Sequence, residues 1–64
     1  MTYYEISVCY PYNLFNKTEM IKRMSNRRSA IWFASLEKTN NHRKVIVTCH
    51  TIENGEHAIE KIDY

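Results

Sequence analysis

Cysteine, glycine and proline are all scarce in this chain: two, one and one among 64 residues. Cys9 and Cys49 permit at most one internal bridge, which excludes the secreted class of small domains stapled by several disulfides. In a reducing compartment both are expected as packed thiols, because a free Cys behaves as a small apolar residue. One Gly and one Pro exclude collagen-like and low-complexity chains. Long apolar runs are missing too. Nothing approaches the roughly 18 consecutive apolar residues of a membrane span, and Met-Thr-Tyr-Tyr-Glu has neither a basic nor an apolar leader region. The expectation is a cytoplasmic protein with no membrane association.

Nor does one sign of charge dominate, since the formal net charge is +2. The total hides an asymmetry. Lys17, Lys22, Arg23, Arg27, Arg28, Lys38, Arg43 and Lys44 oppose only Glu19 and Glu37, whereas Glu53, Glu56, Glu60 and Asp63 later oppose only Lys61. A basic middle and an acidic end can steer an acidic partner, or simply keep the chain soluble. What is present in quantity is apolar, 44% of residues. That is enough for one small core, so residues 1–64 read as a single α+β domain, short enough for oligomerisation to matter.

Tyr3 to Tyr10 alternates and is β-branched and aromatic, which predicts a strand ending at Pro11. With Asn13 or Asn16 as cap, the spacing of Leu14, Phe15, Met20, Ile21 and Met24 predicts an amphipathic helix from about Asn16 to Arg27. Ala30 to Glu37 alternates again and predicts a second strand, with Trp32, Ala34 and Leu36 on one face and Ile31, Phe33 and Ser35 on the other. Lys38 to His42 reads as a turn, and Lys44 to Ile52, rich in Val, Ile and Thr, as the strongest strand. Asn54-Gly55 supplies the positive φ of a type I′ turn and predicts a fourth strand from His57 to about Ile62, with a terminal helix as the alternative. The order is β-α-β-β-β, or β-α-β-β-α: a small antiparallel sheet with one amphipathic helix on one face. The expected core is Tyr4, Ile6, Val8, Met20, Ile21, Met24, Trp32, Leu36, Val45 and Val47.

On this reading Ile31, Phe33, Ile46 and Ile52 lie on a second sheet face that one helix cannot cover. Either the sheet curls over them or they meet another chain, as partner or as homodimer.

Chemistry-bearing motifs are thin. Cys49, His50 and His57 converge if the Asn54-Gly55 hairpin forms, but adjacent Cys49 and His50 leave opposite faces of a strand and cannot readily share one ion, so no metal site is assigned. His42, Arg43 and Lys44 are residue types used in phosphate chemistry, yet no spacing ties them to a nucleophile, a Gly-rich loop or a cofactor motif; no catalytic residue and no cofactor are assigned.

Two binding readings remain. The first is a protein-binding module using Arg23, Arg27, Arg28, Ile31, Phe33 and Ile46, residue types enriched at interface cores. The second is a small nucleic-acid-binding or transcription-modulating protein using Lys22, Arg23, Arg27 and Arg28 as a basic helix end beside Tyr3, Tyr10 and Tyr12. The pI of about 8.6 is below that of most dedicated nucleic-acid binders. A short domain rich in Asn, Lys, Ile and Tyr resembles, in composition alone, the small accessory proteins of bacteriophages. That resemblance implies a module that binds and inhibits or redirects a host or regulatory protein, and it assigns no residue a role.

Overall fold

The computed structural model describes residues 1–12, 15–41 and 44–64, without the side chains of residues 10–17. The elements are β1 (Thr2–Tyr12), β2 (Phe15–Met24), α1 (Arg27–Asn41), β3 (Lys44–Glu53) and β4 (Glu56–Ile62). All pairings are antiparallel, and the sheet order is β2-β1-β3-β4. The α+β class and the one-helix antiparallel sheet agree with the sequence reading. The element order is different: β-β-α-β-β.

Two expected elements exchange state. The segment expected as a helix from about Asn16 to Arg27 is strand β2, and Ala30 to Glu37, expected as a strand, lies inside α1. Non-local pairing decides the first case. β1 is eleven residues long, and pairing with β2 satisfies the backbone groups along its outer edge from Tyr4 to Tyr12. A register shift between Ile6 and Ser7 leaves Ile21 as the extra residue of a bulge. Ile21 and Met24 therefore reach the core while Met20, opposite Ser7, is exposed, a spacing that imitates a helix. In the second case, Ala30, Ala34, Leu36, Glu37 and Lys38 are good helix formers. Asn26 caps the helix by accepting a hydrogen bond from the Ser29 backbone N–H at 3.0 Å. The proposed Asn16 cap is backbone of β2, and Asn13 lies outside the described residues.

The β3–β4 half follows the expectation. Asn54 and Gly55 both have positive φ, 50° and 81°, as a type I′ turn requires, and β4 is a strand. Pro11 does not end β1, which continues to Tyr12; it falls beyond Cys9, where pairing with β3 stops, so no ladder bond on that side is lost. The expected turn over Lys38 to His42 is helical as far as Asn41, with His42 outside the described residues.

The core is Ile6 and Val8 of β1, Val45 and Val47 of β3, Ile62 of β4, and Ala30 and Ala34 of α1. Two alanines one turn apart let the helix backbone approach the sheet closely. Tyr4, Ile21, Met24, Ile31, Phe33 and Cys49 pack around this centre. Three expected core residues are exposed instead: Met20, for the bulge reason above, and Trp32 and Leu36, whose i, i+4 spacing places them on the outer face of α1. Cys9 and Cys49 are both free thiols. Among the described residues α1 packs on β3, β1 and β2 and not on β4, so β4 is exposed along its length until Ile62 returns to the core. Tyr64 closes that edge. Its hydroxyl donates to the Val45 carbonyl at 2.9 Å, and the Lys38 ammonium lies 5.7 Å from its ring centre.

Candidate functional site

The six residues expected to bind a partner are not brought together. Arg23 is in β2, with its side chain on the sheet face away from the helix; Arg27 and Arg28 open α1 and are exposed. Ile31 and Phe33 are half-buried helix residues packed on the core, so they do not share a sheet face with Ile46 and Ile52 of β3. The expected second apolar face is corrected accordingly: half of it belongs to the helix, because Ile31 and Phe33 flank the Ala30–Ala34 stripe in a 3.6-residue turn. The basic helix end of the nucleic-acid reading is absent as such. Lys22 and Arg23 are consecutive strand residues, which point to opposite faces, and the side chains of Tyr10 and Tyr12 lie outside the described set.

Two surfaces emerge, of which the sequence reading anticipated only the convergence of His50 and His57. The first is the outward side of α1. At 100° per residue, Trp32 points almost directly away from Ala30 and Ala34, with Arg28 one turn before it and Leu36 one turn after. Trp32 is 63% exposed and Leu36 39%. Arg27 and Arg28 stand in the first turn, where the helix dipole disfavours cations, and no acidic residue offsets them there. The signal was available in the sequence as the i, i+4, i+8 repeat of Arg28, Trp32 and Leu36, masked by an equally regular two-residue alternation.

The second surface is the helix-free face of the sheet. Here Arg23, Tyr3, His50 and His57 form a row across β2, β1, β3 and β4. The Arg23 guanidinium lies 4.7 Å from the centre of the Tyr3 ring, and Tyr3 stacks on His50 at 4.8 Å with 7° between the planes. His50 Nδ1 and His57 Nε2 are 2.9 Å apart. Glu5 sits behind the row. One carboxylate oxygen accepts from Arg23 at 2.8 Å and the other lies 3.3 Å from His50 Nε2, which is also 2.9 Å from Thr48 Oγ1. Stacking and hydrogen bonds together hide His50, which is 6% exposed although no helix covers it.

The histidine convergence expected from the Asn54-Gly55 hairpin is thus present, while Cys49 packs on the opposite, core side. Among the described residues no three His, Cys, Asp or Glu side chains are grouped to hold a metal ion. His42 and Arg43 are outside the described residues. No helix among them is long and apolar enough to cross a membrane. No protein family, curated protein or solved structure matches the chain.

Proposed function

We propose that the protein works by binding another protein through the outward face of α1, with Trp32 and Leu36 as apolar anchors, Arg28 on the same stripe as a charged flank and exposed Arg27 beside it at the helix N-terminus. The observation that supports this reading is the exposure of Trp32 on a helix that has a complete apolar side of its own against the sheet. Trp is the residue type most often found among interface hot spots. Covering its exposed area would contribute about 3 kcal/mol before association costs. The arginines point to an acidic partner. They sit where the dipole works against them, a local cost that contact with carboxylates would offset.

The experiment is affinity capture with a tagged chain, with and without nuclease, beside a Trp32→Ser variant. Stoichiometric, nuclease-insensitive recovery of one protein by the wild type, lost by a variant that melts normally, is the expected result. Equal recovery by both chains would refute the α1 face. Recovery abolished by nuclease would favour nucleic-acid binding.

A further inference from the structure

We propose that Glu5, His50 and His57 form a proton-counting latch that fastens β4 to the sheet, holding with one extra proton and releasing with two. Hydrogen-bond stoichiometry sets which ring nitrogens carry protons. The Glu5 carboxylate, 3.3 Å from His50 Nε2, would repel a lone pair on that nitrogen, so in the latch Nε2 carries the proton and donates to Thr48 Oγ1 at 2.9 Å. Neutral His50 then has a bare Nδ1, which accepts from His57 Nε2–H. A first extra proton fits on His57 Nδ1: the bond between the rings survives and becomes charge-assisted. A second proton on the ring pair itself, as distinct from one taken up by the Glu5 carboxylate, has to occupy His50 Nδ1. Two N–H groups then face each other across 2.9 Å, and the rings must part.

Every strand presents groups to this pair. β1 supplies Glu5 and the Tyr3 ring, and β2 supplies Arg23, which shares Glu5. β3 supplies Thr48, and β4 supplies Lys61, opposite Thr48 in the ladder. The Met1 ammonium, bonded to the Ile52 carbonyl, lies two ladder positions from His50. The charged groups around the pair are thus one carboxylate, Glu5, and three cations, Arg23, Lys61 and the ammonium. Release matters for β4 in particular, because α1 does not cover it: among the described residues its holds besides the latch are the β3 ladder, Ile62 in the core and, just past its end, the Tyr64 hydroxyl on the Val45 carbonyl.

The test is a pH titration of nitrogen-15-labelled full-length chain. At neutral pH a through-bond nitrogen–nitrogen coupling should join His50 Nδ1 to His57 Nε2, persist through the first protonation and vanish at the second. Amide exchange in β4, corrected for its intrinsic pH dependence, should then quicken roughly tenfold relative to β1, the scale of one lost hydrogen bond. His57→Gln should lack that acid step. Absence of the coupling in the wild type overturns the latch whatever the variant does. So does an acid step retained in His57→Gln, double protonation without a change in β4, or global unfolding before a second proton binds.

Discussion

Arg27 and Arg28 separate stability from recognition at the level of single residues. Both occupy the first turn of α1, where the exposed N–H groups carry partial positive charge. Arg28→Glu should therefore stabilise the chain by roughly 0.3–1 kcal/mol in a denaturant melt while weakening an acidic partner, chiefly by slowing association. A destabilised variant with intact binding would contradict both arguments. Tyr64 gives the pH-dependent counterpart. Partial burial pushes its phenol above the ordinary value of 10.0 although the residue is 40% exposed, so the contribution of the neutral form is small and is complete below about pH 10. Above that pH the unfolded chain ionises first, and the stabilisation is lost as pH rises through the folded value. Tyr4 is shifted the same way, by burial first and by neighbouring Cys49 second. The measurement is thus the difference between wild type and Tyr64→Phe, and the alkaline loss should be smaller in the variant. At the centre of the core, Val47 is fully buried. Val47→Asp should abolish the cooperative melt, because an unpaired buried charge costs several kcal/mol against a total of about 3–10 for a chain of this length. That consequence was legible from the alternation of Val45 and Val47 alone.

Elements whose chemistry is local could be read from the sequence, and those settled by distant partners could not. β3 announces itself through a run of β-branched residues, and the β3–β4 hairpin through Asn54-Gly55. Gly55 has φ of 81°, and a Cβ added there would meet nothing within 4 Å. Gly55→Ala should therefore lower stability by about 1 kcal/mol through backbone strain alone, with no steric term, and thermal melts beside an Asn54→Gly control measure it. β2 and α1 were exchanged for a physical reason. Met20, Ile21 and Met24 satisfy helical spacing because a bulge at Ile21 breaks the strand alternation, and only the presence of β1 alongside distinguishes the two. Within α1, Ala34 belongs equally well to a two-residue and a four-residue repeat, whereas the Asn26 cap with Ser29 three residues on was the decisive local clue. The candidate binding face went unread for the same reason: assigning Trp32 and Leu36 to a strand put them in the core.

Across the whole molecule, the sheet separates two surfaces that share no side chain. α1 covers one face over three strands and carries Trp32 outward; the opposite face carries the row from Arg23 to His57. A partner site expected on that opposite face depends on Ile31 and Phe33 lying there, and both are helix residues packed on the core. With both under the helix, the apolar groups on that side among the described residues include Met20, Ile46, Ile52 and Ile59, which are interleaved with charged and hydrogen-bonded neighbours. The separation has a measurable consequence. Mutations more than about 7–10 Å apart with no common partner combine additively, and here the sheet and the Ala30–Ala34 layer lie between the two sites. Trp32→Ser should leave the acid-triggered exchange of β4 unchanged, and His57→Gln should leave the fluorescence of Trp32, the single tryptophan, as readily quenched by a soluble quencher as in the wild type. In a denaturant melt the stability change of the double variant should equal the sum of the single changes within about 0.5 kcal/mol. A coupling energy above about 1 kcal/mol would mean that the sheet transmits strain between its faces, and that occupancy of the α1 surface is linked to the histidine pair.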